Sequence, residues 1–256
     1  MSLHPLPDVR DPRRVIRLDA VHNFRDMGGY PTADGRTTKW RRLFRADALY
    51  RLRGDDVDTV RPLGLRTVID LRTPEELELR GRFPVEDHPV DFHHIDVMDT
   101  TWDRSDDDLE DVVAFLTSAY ERMLHQLPDR FAGAIERLGA PDALPAVFHC
   151  AAGKDRTGVT AMLVLGALGV PSEYIAADYA LTAEGIARSL AWAQRESAEL
   201  WERMADTPSA WMASEPEAML RVIARIEAAH GSVRNYVLHI GVQPATLDRL
   251  ASELLE

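Results

Sequence analysis

The segment that decides the fold is His149–Gly158, which reads His-Cys-Ala-Ala-Gly-Lys-Asp-Arg-Thr-Gly. Before it, residues 144–148 form a short apolar run with β-formers, as in a buried strand. After it, residues 157–168 are apolar and rich in good helix formers, and Gly169 ends the run. The pattern predicts a tight strand-to-helix loop, with a cysteine where the strand ends and an arginine where the helix begins.

The five residues between Cys150 and Arg156 suit a loop that folds around one anion. Ala151, Ala152 and Gly153 are small, so the backbone can approach a bound group closely. The helix that follows directs its first N–H groups and the positive end of its dipole at the same point. A thiolate would be stabilised there, and the arginine fork can hold two phosphate oxygens. The loop therefore indicates a nucleophile aimed at phosphorus.

Cys150 is the only cysteine among the 256 residues, so no disulfide can form within the chain. A lone cysteine is usually a small buried hydrophobe. Here the glycine-bearing loop and the arginine that follows favour a nucleophile instead.

The length and composition fit a single globular domain over residues 1–256, with 45% hydrophobic and 28% charged residues. No apolar run reaches the ~18 residues that a membrane span needs. The first 17 residues lack the apolar core of a secretory signal, so we expect a cytoplasmic protein, with signal-less secretion as the alternative. The net charge of −12 argues against nucleic-acid binding.

The charge is unevenly distributed along the chain. Residues 10–53 carry twelve Arg and Lys residues against five Asp. This basic stretch is either a solvated surface with local ion pairs or a surface that faces an anionic substrate or lipid head groups.

Strand and helix patterns alternate along the first two thirds of the chain. The compact β-branched run at residues 66–71 predicts a central strand, and Thr73-Pro74-Glu75-Glu76 after it is a helix start with a capping box. Further predicted strands span residues 15–21, 37–44 and 90–97, and helices span 55–63, 105–127 and 128–138. The sequence therefore predicts an α/β fold with a mostly parallel central sheet flanked by helices.

The two ends of the chain differ from this pattern. Residues 1–13 contain three prolines and little apolar content, which predicts a loose N-terminal arm. Residues 172–230 are helical and rich in Trp and Met, and two closing helices follow at about 232–239 and 244–255. The helical region from 172 to 230 is either a lid over the loop or ordinary helix packing against the core.

Three segments resemble a known family: His149–Gly158, Asn23–Tyr30 and Asp70–Glu76. The first is similar to the signature loop of the cysteine-dependent protein tyrosine and dual-specificity phosphatase superfamily. Its residues most resemble those of a subgroup of tyrosine/serine and phosphoinositide phosphatases that includes the secreted mycobacterial phosphatase B type. The resemblance implies a phosphorylated protein or phosphoinositide substrate and a phosphocysteine intermediate, with no metal or cofactor.

The resemblance also assigns roles within the loop. Cys150 is the expected nucleophile and Arg156 the expected phosphate ligand, while His149 fixes the loop from behind. The remaining loop residues are expected to bind the substrate: Ala151, Ala152, Gly153, Lys154, Thr157 and Gly158. Lys154 at the rim of the pocket would favour substrates with more than one negative charge, and the Thr157 hydroxyl would help the thiolate to leave.

The general acid is less well defined by the sequence. The family's usual acid lies in a Trp-Pro-Asp loop, which this chain lacks. Asp155 within the loop is the first candidate, with Asp96, Asp99 and Asp70 as alternatives.

Four further residues are expected to support the site. Asp70 and Arg72 fall at the carboxyl end of a predicted central strand, where open α/β sheets place their sites. Arg25 and Asp26 either contact the loop or brace a turn.

A catalytically silent phosphate-binding module and a reductase or sulfurtransferase remain alternative functions for such a loop.

Overall fold

The computed structural model describes residues 5–98 and 110–256. In this part of the chain a five-stranded sheet has the order β1-β2-β5-β3-β4. The strands are β1 Arg25–Asp26, β2 Leu43–Ala46, β3 Thr67–Asp70, β4 Asp91–His94 and β5 Ala146–His149. Only the β1–β2 pair is antiparallel, so the predicted mostly parallel α/β architecture is confirmed.

Twelve α-helices lie in these residues, and ten of them follow β4. They are α1 Asp55–Val60, α2 Pro74–Arg80, α3 Val112–Gln126, α4 Pro128–Leu138, α5 Asp155–Ala167, α6 Ser172–Ala180, α7 Thr182–Glu196, α8 Ala198–Ala205, α9 Ser209–Met212, α10 Pro216–His230, α11 Val233–His239 and α12 Pro244–Leu254. No described helix is long and apolar enough to cross a bilayer.

The central strands β3 and β5 are buried on both faces, which explains their continuous apolar sequence. Successive side chains alternate between the two sides of the sheet. Ile69 and Phe148 belong to the larger core, which also contains residues of α3 to α6 and α10 to α12. Val68 and Val147 belong to a smaller core on the other face, together with residues of α1.

The parallel register places Asp70 of β3 beside His149 of β5. The carboxyl ends of the two strands therefore meet at one edge of the sheet. The chain leaves this edge through the Cys150 loop on one strand and through α2 on the other. This brings together two of the three segments that resemble the phosphatase family.

Several predicted elements are shorter in the structure. The strand expected over residues 15–21 is reduced to a single bridge between Val15 and Arg25. The strand expected over residues 37–44 begins only at Leu43. The Asp26 carboxylate explains this delay, because it accepts hydrogen bonds from the N–H groups of Gly28 and Arg41 and so bends the connection between β1 and β2.

The helix expected from residue 105 begins at Val112, and the Asp111 carboxylate caps it by accepting from the N–H of Ala114. Residues 105–109, where the helix was expected to start, lie outside the described residues. At the N-terminus, Val9 is buried in the larger core.

Candidate active site

The loop predicted from the sequence connects β5 to α5, and Cys150 at its start is buried, with 2% of its surface exposed. Gly153 has a φ of +65°, a conformation that disfavours side chains. A Cβ at this position would lie only 2.6 Å from the carbonyl oxygen of Ala46. Glycine is therefore required here both by the backbone conformation and by the close approach of β2.

Arg156 lies in the first turn of α5 and is held by Glu76 of α2. Its Nη1 and Nη2 donate to the two carboxylate oxygens over 2.5 and 3.1 Å. Although burial opposes ionisation, the hydrogen bonds and charge of Arg156 keep the pKa of Glu76 below its usual value. Glu76 also completes the capping box with Thr73. The sequence showed Glu76 only as a capping residue, yet that motif fixes its position against the arginine.

Three side chains hold the back of the loop. The Asn23 amide donates to the carbonyl oxygens of Ala152 and Gly153 over 3.0 and 3.1 Å. Nη2 of Arg45 donates to the Gly153 carbonyl over 2.8 Å, and Arg25 donates to Asn23. With these carbonyls directed backwards, the loop is free to present N–H groups to an anion on its front.

Asp178 of α6 binds two arginines and a tyrosine behind the loop. Its carboxylate accepts from Nε of Arg25 at 2.9 Å, from Nη1 of Arg45 at 2.6 Å and from the Tyr30 hydroxyl at 2.8 Å. Burial works to raise the pKa of Asp178, but the two arginines hold it well below its usual value. Two guanidinium groups thus face one carboxylate, and a net positive charge remains behind the Cys150 loop. Neither Arg45 nor Asp178 was indicated by the sequence.

Asp70 and Arg72, the expected pocket residues at the end of β3, bind one another. Nε and Nη2 of Arg72 donate to the two oxygens of Asp70 over 2.9 and 2.6 Å, and Nη2 also reaches the Gly81 carbonyl over 2.7 Å. Nε2 of His149 lies 3.5 Å from the Asp70 carboxylate. Burial lowers the pKa of His149, so this imidazole is neutral near pH 7. These buried groups fix the edge of the sheet, and they do not line the cavity in front of the loop.

Asp155 is the candidate acid that lines the cavity in front of the loop. Its Oδ1 accepts from the Tyr120 hydroxyl over 2.7 Å and lies 3.2 Å from Nζ of Lys154. Asp96 instead accepts from the N–H of Met98, and Asp99 lies outside the described residues. Asp26 braces the β1–β2 turn, as described above.

Lys154 is buried, with 2% of its surface exposed, rather than placed at the rim. Its ammonium group donates to the carbonyl oxygens of Trp211 and Ala213 over 2.6 and 2.9 Å. The lysine therefore connects the phosphate loop to the helical region that follows α6.

The cavity in front of the loop has a volume of about 230 Å³ and is bounded by α7, α8 and the segment around α9. Its lining includes Ala151, Ala152, Lys154 and Asp155 from the loop. The Thr157 hydroxyl is fully buried beneath the loop and has no hydrogen-bond partner among the described residues. Within those residues no cluster of His, Cys, Asp and Glu side chains could hold a metal ion.

The chain is similar to several known phosphatases. The triple specificity protein phosphatase PtpB of Mycobacterium tuberculosis is 29% identical over 278 residues, which cover 94% of this chain and 99% of that protein. A tyrosine-protein phosphatase of Nostoc commune is 33% identical over 139 residues, which cover 54% of this chain and 47% of that protein. The crystal structure of Pseudomonas aeruginosa TpbA is matched with a TM-score of 0.33 and 15% identity over 77% of this chain and 100% of that chain. The profile of the tyrosine phosphatase family matches residues 16–256. The chain therefore belongs to the tyrosine phosphatase family.

Proposed function

We propose that this phosphatase hydrolyses phosphomonoesters through a phosphocysteine on Cys150. The observation that carries the proposal is the placement of the buried Cys150 and of Arg156 at the two ends of one short loop, whose carbonyls are held from behind. Arg156 and the loop N–H groups bind the equatorial oxygens of the phosphoryl group, where charge is greatest in the transition state. Nε of Arg156 has no partner among the described residues, so it is available to the phosphate while Glu76 holds the other side of the fork.

The reaction has two steps. The Cys150 thiolate attacks phosphorus, the ester bond breaks, and Asp155 donates a proton to the leaving oxygen. Asp155 then takes a proton from a water molecule that attacks the phosphocysteine, which releases inorganic phosphate and the thiolate. The unpartnered Thr157 hydroxyl donates to the departing thiolate.

Phosphotyrosine is the proposed first substrate, with phosphoserine, phosphothreonine and phosphoinositides as further ones. The family and the name of the mycobacterial relative, a triple specificity protein phosphatase, support this range. We also propose that residues 182–212, covering α7 to α9, act as a lid. The Lys154 hydrogen bonds to Trp211 and Ala213 support this assignment, because they connect the loop to that region.

The test is hydrolysis of p-nitrophenyl phosphate against pH with EDTA present, for the wild type and for the variants Cys150→Ser, Arg156→Ala and Asp155→Asn. We expect turnover by the wild type and near-total loss in the first two variants. An active Cys150→Ser variant would contradict the phosphocysteine route. An inert wild type that still binds inorganic phosphate would identify a silent binding module.

A panel of peptides tests the substrate range. Peptides of one sequence that carry phosphotyrosine, phosphoserine or phosphothreonine at the same position, and a phosphoinositide in micelles, are compared by kcat/KM. Turnover of phosphotyrosine alone would remove the wider range from the proposal.

A further inference from the structure

A second cleft lies on the other side of α7 from the active-site cavity. It has a volume of about 250 Å³ and lies between residues 10–25 and α7. We name it the arginine cleft, after its charged lining of Arg10, Arg14, Arg17, Arg25, Arg188 and Glu184. Asp11 is the other acidic residue of the lining. Arg10 pairs with Glu184 and Arg25 pairs with the buried Asp178, so Arg14, Arg17 and Arg188 are the arginines of the lining without a hydrogen bond to a carboxylate among the described residues.

Part of this positive charge has no carboxylate partner within the described residues. Arg14 donates only to carbonyl oxygens, those of Val9 and Asp26. Arg17 is exposed, and its guanidinium has no partner in the described part of the chain. An anion entering the cleft would therefore gain interactions that no resident carboxylate supplies.

Arg188 supports this view of the cleft. Its Nε and Nη2 donate to the carbonyl oxygen of His22 over 3.2 and 2.9 Å, while Glu184 accepts from Arg10 at 2.9 Å. Burial lowers the pKa of Arg188, the charge of Glu184 at 3.9 Å opposes this, and the positive charges of Arg17 and Arg25 lower the pKa further. The arginines of the cleft thus repel one another in the absence of an anion.

The cleft and the active-site cavity share a wall. Glu184 and Arg188 lie one turn apart on the face of α7 toward the cleft, whereas Gly185 and Ser189 lie on the face toward the cavity. Asn23, which holds the phosphate loop, lines both spaces. A Cβ at Gly185 would lie 2.8 Å from the Asn23 side chain, so α7 lies directly against this residue.

We propose that the arginine cleft binds a second anionic side chain of a peptide substrate whose phosphotyrosine occupies the active-site cavity. This inference rests on the proposed function and adds a specificity determinant to it. The width of a helix, about 10–12 Å, separates the two spaces. An extended peptide covers that distance in about three or four residues. A phosphoserine, phosphothreonine or glutamate at that spacing fits the cleft, while a second phosphate on the same inositol ring lies too close to the first.

The experiment compares pairs of phosphotyrosine peptides that are identical except for one position. That position holds either phosphoserine or serine and is placed two to five residues before or after the phosphotyrosine. For the wild type we expect kcat/KM to be about fivefold higher with phosphoserine at three or four residues on one side, as for an exposed ion pair. The preference should fall as ionic strength rises.

Variants of the cleft separate this effect from catalysis. Arg17→Ala should abolish the preference, Arg17→Glu should reverse it, and Arg188→Gln should reduce it. The two Arg17 variants should hydrolyse p-nitrophenyl phosphate like the wild type. The control is Arg130→Ala, an exposed arginine of α4 outside the cleft, which should retain the full preference.

The outcomes are distinct. A preference that is equal in the wild type and in Arg17→Glu, or no preference at any spacing, would overturn the cleft proposal while leaving the phosphatase intact. An effect of Arg17→Glu on a phosphoinositide bisphosphate alone would also overturn it, in favour of a lipid head group. An inactive wild type on p-nitrophenyl phosphate would instead refute the proposed function.

Discussion

The Glu76 carboxylate holds Arg156 with the same oxygen that caps its own helix. Oε2 accepts from Nη1 of Arg156 at 2.5 Å and from the N–H of Thr73 at 2.9 Å. The start of α2 and Arg156 of α5, the proposed phosphate ligand, are thereby fixed by one side chain. The orientation of the guanidinium therefore depends on a helix that precedes it by some eighty positions in the chain.

We expect Glu76→Gln to lower kcat/KM by about 10- to 100-fold. A neutral amide holds the guanidinium less firmly, and its NH₂ group cannot accept a hydrogen bond from the arginine. Steady-state kinetics with p-nitrophenyl phosphate measure the loss. The matched control is Glu75→Gln, its exposed neighbour in the same helical turn, which should behave like the wild type. Equal kinetics of the two variants would show that Arg156 does not need Glu76.

For Asp155→Asn we expect a loss in kcat that grows with the pKa of the leaving group, because only a poor leaving group needs the proton. The loss should reach about 10²- to 10³-fold for phenyl phosphate and be much smaller for a strongly activated aryl phosphate. A series of substituted aryl phosphates measures the slope. A uniform loss across the series would exclude Asp155 as the acid.

The variant Tyr120→Phe tests the role of Asp155 as the acid through a smaller change, because it leaves the carboxyl group in place. The buried Tyr120 hydroxyl donates to Oδ1 of Asp155 and is paired with the Tyr179 hydroxyl. We expect about a tenfold fall in kcat on phenyl phosphate from the loss of this positioning bond, with a smaller change on the activated substrate. An increased kcat would show that the tyrosine restrains the carboxylate.

Gly153→Ala should inactivate the enzyme by at least about 100-fold, because the new Cβ would displace either β2 or the loop N–H groups that we propose bind phosphate. The control is Gly35→Ala, since Gly35 also has a positive φ of +87° but has no atom within 4 Å of the added Cβ. That variant should lose about 1 kcal/mol of stability and keep its activity. Activity assays and thermal unfolding distinguish the effect of the clash from that of the backbone conformation.

Asp178→Asn should cost about 3–5 kcal/mol of stability, because it leaves two buried guanidinium groups without a carboxylate. The folded-state pKa of Asp178 lies below its unfolded value of about 3.9. Its stabilisation is therefore complete above about pH 5 and is lost as the pH falls through 3.9 toward the folded pKa.

Urea unfolding of this variant between pH 5 and 3 should therefore show a weaker dependence of the unfolding free energy on pH. The difference corresponds to about one proton fewer taken up on unfolding. Asp58→Asn provides the control, since Asp58 is exposed on α1 and pairs only with Arg61 at the surface. An unaltered slope in Asp178→Asn would mean that the carboxylate is not ionised in the native protein.

The parts of the fold that the sequence predicted are those determined by neighbouring residues. The Cys150 loop, the capping box of α2 and the buried strands β3 and β5 each depend on short runs whose composition permits little else. The strand predicted over residues 37–44 was too long, because the Asp26 bonds to Gly28 and Arg41 bend the chain there. No local sequence pattern predicts that a carboxylate accepts a hydrogen bond from a backbone N–H group fifteen residues away.

The back of the site was beyond prediction for the same reason. Asp178 meets Arg25 and Arg45 across more than a hundred residues, and a helical aspartate ordinarily lies on the surface. Lys154 was expected at the rim because its place in the loop is exposed in principle. The carbonyls of Trp211 and Ala213 that bury it come from a region whose packing the sequence did not specify.

The register between β3 and β5 makes activity a sensitive report of folding. Asp70 pairs with His149 in parallel strands, and the two segments that leave these residues carry Glu76 and Arg156. A slip of one residue would turn every side chain of a strand to the opposite face and would separate the carboxylate from the guanidinium. Recovery of turnover after dilution from denaturant should therefore follow the closure of this long-range pairing, later than the recovery of helical circular dichroism.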